Sequence, residues 1–177
     1  MFEGVLFDVY QWEQQMFDGT TATFERLKRP DTVVVIPVLP DGRILLARQE
    51  QPGGAPYVSG LGGRMEEGEE PEHAAARELR EESGYTATTL TLWDAQQPVG
   101  KLDWAVYTFI ATGLSKEGEQ ALDPGEKIEL MPVTLDEFIE IGTGAYFAEK
   151  EIVHRLIAAK YDAGKREELR KLFAQAA

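Results

Sequence analysis

The chain has 177 residues, 43% of them hydrophobic and 28% charged, a composition typical of one packed domain with at most a modest extension. Eighteen basic residues against 31 acidic ones give a net charge of −13, which disfavours binding to duplex nucleic acid or to anionic lipid, because both require clustered Lys and Arg. The absence of cysteine excludes disulfides, thiolate zinc sites and a thiol nucleophile.

The N-terminal part is predicted to be strands. The N-terminus lacks the basic region of a signal peptide, and no apolar run in the chain reaches the roughly 18–20 residues that cross a bilayer. We therefore expect a cytoplasmic protein with no membrane partner. Residues 2–17 and 20–27 flank the turn signal Asp18-Gly19, which predicts a β-hairpin. Two apolar runs, residues 32–39 and 43–48, are typical of buried strands.

The rest of the chain alternates between helical and strand patterns. After a loop over residues 49–60, a helix is predicted from Pro71 to Gly84, since proline favours the first turn of a helix and glycine the position after the last. Strands are predicted over 88–93, 104–112 and 128–133. Helices are predicted from Thr134 onward, where Thr134 and Glu137 have capping-box spacing, and over 147–161 and 165–175. Overall this pattern indicates a mixed α/β fold.

Three carboxylates share one face of the helix predicted after Pro71. Glu78, Glu81 and Glu82 stand at positions i, i+3 and i+4, where like charges destabilise a helix. Hard oxygen ligands suit Mg²⁺ or Mn²⁺, and the preceding glycines allow a backbone carbonyl to approach closely. An acidic face of this kind is most often merely solvated, so the three residues alone do not establish a metal site.

The longer string from Gly63 to Tyr85 resembles the Nudix box, G-x5-E-x7-R-E-U-x-E-E-x-G-U, where U is a bulky aliphatic residue. The sequence GRMEEGEEPEHAAARELREESGY matches every fixed position except the last, where Tyr85 replaces the aliphatic residue. The two-stranded N-terminus, the ILLARQ strand and a Glu-bearing loop before the last strand extend the resemblance to the ADP-ribose pyrophosphatase and nucleoside-diphosphate-sugar hydrolase branch.

This resemblance implies a Nudix α/β/α sandwich around a mixed sheet, with an N-terminal antiparallel strand extension over residues 1–30 and the hydrolase domain over 31–177. It also implies hydrolysis of the diphosphate of ADP-ribose or a related nucleoside diphosphate sugar, giving a nucleoside monophosphate and a sugar phosphate. Two to three Mg²⁺ or Mn²⁺ ions per site are expected. The extension is expected to form a homodimer.

Carried over from the family, Glu78, Glu81, Glu82 and the carbonyl of Gly62 resemble the metal ligands. Arg77 resembles the arginine that fixes the glutamates by ion pairing, and Glu69 an accessory ligand or brace. Leu79 and Gly84 are expected to be structural.

The general base of this branch usually lies on a loop beyond the box. Here the loop offers Glu117, Glu119 and Glu126, and we favour Glu126 because it directly precedes the last strand. An ordinary exposed acid is the alternative for this position.

Substrate-binding residues are predicted from the same resemblance. Arg48, at the end of a strand that feeds the site, is a candidate for the diphosphate, with Arg29 and Arg64 as weaker candidates. Aromatic residues that are candidates to stack on a base, across a dimer in some relatives, are Trp12, Phe17 and Trp104. Each of these residues has an ordinary alternative, a solvated arginine or a core aromatic.

Two other functions are compatible with the sequence. A Nudix hydrolase of dinucleoside polyphosphates or nucleoside triphosphates is one, although the small triphosphate hydrolases usually lack the extension. A non-catalytic Nudix domain that binds a nucleotide sugar and regulates a partner is the other. Such domains usually lose box glutamates, and this chain keeps all of them.

Overall fold

A computed structural model describes residues 2–175. Met1, Ala176 and Ala177 lie outside the described residues. The described elements follow in this order: β1 Asp8–Gln15, β2 Thr21–Lys28, β3 Thr32–Pro37, β4 Ile44–Glu50, β5 Tyr57–Ser59, α1 Pro71–Ser83, β6 Tyr85–Thr86, β7 Thr89–Gln96, β8 Leu102–Asp103, β9 Val106–Thr112, β10 Ser115–Lys116, β11 Lys127–Val133, α2 Leu135–Gly142, α3 Val153–Tyr161 and α4 Ala163–Gln175. None of these helices is long and apolar enough to cross a bilayer.

The predicted hairpin is present. Strands β1 and β2 pair antiparallel, from Asp8 opposite Lys28 to Gln15 opposite Thr21. Gly19 in the turn adopts φ +86°, a conformation that favours glycine. A short parallel pairing of β2 with β8 completes a three-stranded sheet.

Two further three-stranded sheets form the centre of the molecule, in the orders β3-β9-β7 and β11-β4-β5. The first is mixed, because β3 and β9 are parallel whereas β7 and β9 are antiparallel. The second is antiparallel throughout. The backbone after β5 continues alongside β3, where Leu61 pairs with Val35 and Arg64 with Thr32.

Helices cover both faces of these strands. Successive side chains of a strand point to opposite faces, so Val34 and Ile36 of β3 enter a core with residues of α2, α3 and α4. Val33 and Val35 enter a second core with Leu79 and other residues of α1. The predicted α/β/α sandwich is thereby confirmed.

Helix α1 has the predicted ends. Pro71 occupies its first turn, and Gly84 closes it in the left-handed conformation with φ +68°, its N–H donating to the carbonyl of Arg80. The buried positions of α1 include Leu79 as well as Glu78 and Glu82. The side of the helix that packs on the sheet therefore carries two of the box carboxylates into the protein.

Two segments differ from the sequence prediction. The predicted loop over 49–60 contains strand β5, and α3 begins at Val153, not near residue 147. Both differences have one cause: the amide of Val58 donates to Tyr146, and the amide of Ala148 donates back to Val58. The segment around Phe147 therefore runs beside β5 instead of starting a helix.

Candidate active site

A cavity of about 1160 Å³ opens beside the N-terminal half of β3. Its walls include the segment before β3, the end of β4 with the loop to β5, the backbone run over 59–66, the carboxylate face of α1, and the loops that precede β11 and α3. The cavity gathers predicted site residues from distant parts of the chain, namely Arg29, Gly62, Arg64, Arg77, Glu78, Glu81, Glu82, Trp104 and Glu126.

Arg77 is the centre of an ion-pair network on α1. Its Nε and Nη2 donate to both carboxylate oxygens of Glu69 at 3.0 Å, and its Nη1 donates to Glu78 at 2.8 Å and to Glu81 at 3.1 Å. Nη2 also donates to the carbonyl of Arg64 at 3.1 Å. A bidentate guanidinium–carboxylate pair fixes geometry more strictly than a single bond, so Arg77 and Glu69 hold the box loop against the helix.

Two of the carboxylates on this face, Glu78 and Glu82, are buried. Burial raises the pKa of Glu82 to about 8; the N–H of Gly62, which donates to Glu82 Oε2 at 2.6 Å, opposes the rise, whereas the charges of Glu78 and Glu126 add to it. Burial also raises the pKa of Glu78, against the lowering effect of Arg77. One arginine therefore does not neutralise the cluster, and a cation placed among these groups would favour their charged forms.

The glycines of the box loop bring backbone close to these acids. Gly62 has φ +139°, and a Cβ there would lie 2.1 Å from the carbonyl oxygen of Val33. A Cβ on Gly63 would lie 2.8 Å from a carboxylate oxygen of Glu78. Any side chain at these two positions would displace β3 or the acidic face, which explains why glycine occupies both.

The donor set fits a hard divalent cation by its chemistry. It consists of the carboxylate oxygens of the box glutamates and a loop carbonyl at Gly62. Burial raises the pKa of two of these glutamates, Glu78 and Glu82, and oxygen ligands of this kind suit Mg²⁺ and Mn²⁺. Within residues 2–175, no three acidic or histidine side chains already stand at ligand spacing. Because Arg77 engages Glu78 and Glu81, metal binding would require these side chains to change partners.

Of the three candidate bases, only Glu126 lines the cavity; Glu117 and Glu119 do not. The Glu126 carboxylate accepts the N–H of Asp123 at 3.0 Å through Oε2, and its charge contributes to the raised pKa of both Glu78 and Glu82. Glu126 therefore shares the cavity with the box glutamates.

The loop that carries Glu126 is fastened to the end of α1. Gln120 Nε2 donates to the carbonyls of Glu82 at 2.7 Å and Ile128 at 3.3 Å, and Lys116 Nζ donates to the carbonyl of Ser83 at 2.6 Å. The bonds to Glu82 and Ser83 satisfy carbonyls that the end of a helix leaves without partners. They also fix the loop relative to the carboxylates of the helix.

The predicted substrate residues divide into two groups. Arg29, Arg64 and Trp104 line the cavity. The Arg29 guanidinium lies 4.9 Å from the centre of the Trp104 ring, and the indole N–H donates to Thr32 at 2.9 Å. Burial, with the charge of Arg64, lowers the pKa of Arg29. Two cationic groups and an indole therefore flank the acids on the side of the N-terminal strands.

The second group lies away from the cavity. Arg48 is exposed and faces Glu129 at 3.8 Å across the β4–β11 pair. Trp12 lines a separate hollow of about 390 Å³ on the extension with Tyr10 and Arg26, and Phe17 is fully exposed at the hairpin turn. Within one chain these three residues do not reach the acidic face.

Sequence reasoning missed Glu149 and Tyr57, which both line the cavity. Glu149 is 7% exposed, and burial raises its pKa to about 7. Its segment, GAYFAEKE, resembles the start of an amphipathic helix, so the pairing of Phe147 with Val58 was the missing information. Tyr57 follows a Gly- and Pro-rich stretch. That composition predicts a loop, but it does not predict that the loop lines the cavity.

Comparison with known proteins decides the family. The model of the NUDIX domain matches residues 28–156, which is most of the chain. The chain belongs to the Nudix family. Since the box keeps its arginine and all of its glutamates, it is a Nudix pyrophosphohydrolase.

Relatives agree with this assignment. The ADP-ribose pyrophosphatase of Bacillus subtilis is 36% identical over 144 residues, which cover 80% of this chain and 78% of that protein. The methanol dehydrogenase activator of Bacillus methanolicus is 30% identical over 166 residues, covering 91% and 87%. A solved structure described as an ADP compounds hydrolase superposes with a TM-score of 0.73 at 23% identity, covering 90% of this chain and 88% of the other, which supports the fold.

Proposed function

We propose that this Nudix pyrophosphohydrolase cleaves the diphosphate of ADP-ribose or a related nucleoside diphosphate sugar, in a reaction that depends on Mg²⁺ or Mn²⁺. The observation that carries the proposal is the cavity, which is lined by box residues Arg77, Glu78, Glu81 and Glu82 together with Glu126, Arg29 and Arg64. The similarity to an ADP-ribose pyrophosphatase over most of both chains supports the choice of substrate class.

The residues that would hold the cation are Glu78, Glu81, Glu82 and the carbonyl of Gly62. When bound, the cation would withdraw charge from the diphosphate oxygens and lower the pKa of the attacking water. Arg77 would then keep Glu69 as its partner, since that pair is bidentate and does not involve the acidic face of the cavity. Glu69 is in this view a brace for the box loop.

The chain's own groups perform the remaining tasks. Glu126 Oε2 is occupied by the amide of Asp123, which leaves Oε1 to take the proton of the attacking water. Arg29 and Arg64 would bind phosphate oxygens that the cation does not reach, and the Trp104 ring would pack against the nucleoside. The products would be a nucleoside monophosphate and a sugar phosphate.

We extend the proposal to the first 30 residues as a dimerisation unit in a cytoplasmic homodimer. In this arrangement Trp12 and Phe17 of a second copy would approach the cavity that they do not reach in their own chain. Large apolar side chains exposed on this unit, Phe2, Val5, Tyr10, Trp12, Phe17 and Leu27, support it. Light scattering on the full chain tests it, and a monomeric mass would contradict it.

The role of Glu126 is tested by replacing it with glutamine, with Glu119→Gln as the matched control from the same loop. Glu126→Gln is expected to lower kcat by a factor of at least about 10², the usual contribution of a general base, with unchanged affinity for Mn²⁺. Glu119→Gln is expected to retain kcat. Equal turnover by Glu126→Gln and the wild type would reassign the base to another acid.

A further inference from the structure

The cavity has two different flanks on either side of the box carboxylates. The backbone over residues 60–64 runs antiparallel to β3, and Gly62, whose N–H contacts Glu82, lies in its middle. Arg64 at one end lies beside Thr32, near Arg29 and Trp104. The four residues back to Gly60 span roughly 13 Å of extended chain. A group beside Gly60 would therefore contact a different part of a diphosphate substrate from the part that Arg29 and Arg64 contact.

Glu149 is the polar group at the Gly60 end. Its carboxyl faces the backbone amide of Gly60, and it shares this end of the cavity with Tyr57 and Tyr146. Its Oε2 is buried and has no hydrogen-bond partner among the described residues. An unsatisfied buried carboxylate oxygen destabilises a folded protein, so its retention requires an explanation. Neither the proposed metal ligands nor the proposed base explains it.

The chemistry of this flank selects a ligand. A carboxylate repels phosphate oxygens and accepts hydrogen bonds from O–H groups. The opposite flank, with its indole ring and two guanidinium groups, suits the nucleoside and its phosphate. The part of a nucleoside diphosphate sugar that remains for the Gly60 end is the sugar, whose hydroxyl groups are hydrogen-bond donors.

We infer that Glu149 is a specificity-determining residue that accepts a hydrogen bond from a hydroxyl group of the sugar moiety. This inference rests on the proposed function and deepens it. It assigns the flank formed by Tyr57, Tyr146 and Glu149 to the sugar. Discrimination between nucleotide sugars and diphosphates without a sugar then resides in Glu149, which belongs neither to the helix that carries the proposed metal ligands nor to the loop that carries the proposed base.

The test compares two substrates that differ only at this end. One is ADP-ribose, and the other is the propyl ester of ADP, which keeps the nucleoside and both phosphates but has no sugar hydroxyls on the distal side. Glu149→Gln keeps the size of the side chain and removes its charge; Glu149→Met removes the polar atoms as well. Glu151→Gln, two residues along and outside the cavity lining, is the matched control.

The expected result is a loss of about tenfold or more in kcat/KM for ADP-ribose in both Glu149 variants, the effect of losing a hydrogen bond to a charged group. For the propyl ester, both variants should stay within about twofold of the wild type. Glu151→Gln should match the wild type on both substrates. Equal losses on the two substrates would overturn the inference, because Glu149 would then act on the diphosphate, the metal or the fold.

Calorimetric titration with the same two ligands separates this inference from the proposed function. If the wild type binds ADP-ribose without hydrolysing it, the proposed function fails. The sugar contact is still supported in that case if the Glu149 variants bind ADP-ribose more weakly than the wild type but bind the propyl ester equally well. If the wild type binds the propyl ester as tightly as ADP-ribose, or binds neither, the inference is overturned.

Discussion

The buried carboxyl of Glu149 makes a quantitative prediction about stability and pH. Burial raises its pKa to about 7 from an ordinary value of 4.5, while the charge of Glu151 adds to the rise and that of Lys150 opposes it. The folded state thus holds this proton more tightly than the unfolded state. The free energy of unfolding contributed by Glu149 is therefore fully present below pH 4.5 and is lost as the pH rises through 7.

The magnitude follows from the same two pKa values. Each pH unit between them costs the folded state about 1.4 kcal/mol, so the whole interval corresponds to about 3 kcal/mol as an upper value. Glutamine at this position has no proton to lose. We expect Glu149→Gln to be about as stable as the wild type at pH 5 and more stable by about 2–3 kcal/mol at pH 8.

Urea unfolding at one-unit steps from pH 5 to pH 9, with a chelator to keep metal out, measures this difference. Glu82, whose pKa is also raised, contributes a slope of the same sign in both proteins. Because the charge of Glu149 adds to that rise, the difference between the two proteins reports the titration of Glu149 together with its effect on Glu82. Glu151→Gln serves as the control for removing a nearby charge. A difference between Glu149→Gln and the wild type that stays constant from pH 5 to pH 8 would refute the reasoning.

Three further predictions concern the supports of the site. Arg77→Ala leaves Glu69 without its bidentate partner and should lower the free energy of unfolding by about 2–3 kcal/mol, somewhat less than for a fully buried pair; an unchanged urea midpoint would contradict the bracing role. Gly84→Ala should destabilise by at least about 1–2 kcal/mol, since its Cβ would lie 2.1 Å from the carbonyl of Gly118 at φ +68°. Gly118→Ala, with open space at its Cβ, is the control in thermal unfolding, and equal melting temperatures would contradict the clash. Gln120→Ala should lower kcat about tenfold by loosening the base loop, and should lower it no further in a Glu126→Gln background; multiplicative losses would separate the two residues.

Local patterns predicted the elements that depend on neighbours in sequence. The turn signal at Asp18-Gly19 predicted the hairpin, and proline and glycine predicted both ends of α1, because each signal acts within a few residues. The spacing of Glu78 and Glu82 also predicted that they share a helix face. These features required no knowledge of which distant strands meet.

Features that depend on distant pairing escaped prediction. Residues 146–148 pair with β5, and this contact delays α3 until Val153 and carries Glu149 to the cavity wall. Composition did not indicate the contact, since both partners resemble something else: a loop and a helix start. The placement of arginines had the same difficulty. Arg48 and Arg29 both lie near strand ends, but only the packing of the strands puts Arg29 at the cavity.

The measurement that tests the central claim most directly is an incubation with Mg²⁺ or Mn²⁺ and a panel of ADP-ribose, ADP-, UDP- and GDP-sugars, diadenosine polyphosphates and nucleoside triphosphates, with Glu82→Gln alongside. We expect AMP and ribose 5-phosphate from ADP-ribose, or the corresponding pair from another nucleotide sugar. Neither product should form without metal or in the Glu82→Gln variant. Preferred turnover of triphosphates or diadenosine polyphosphates would contradict the proposed substrate class. Binding of nucleotide sugars with no turnover of any compound would contradict catalysis itself and favour a regulatory Nudix domain.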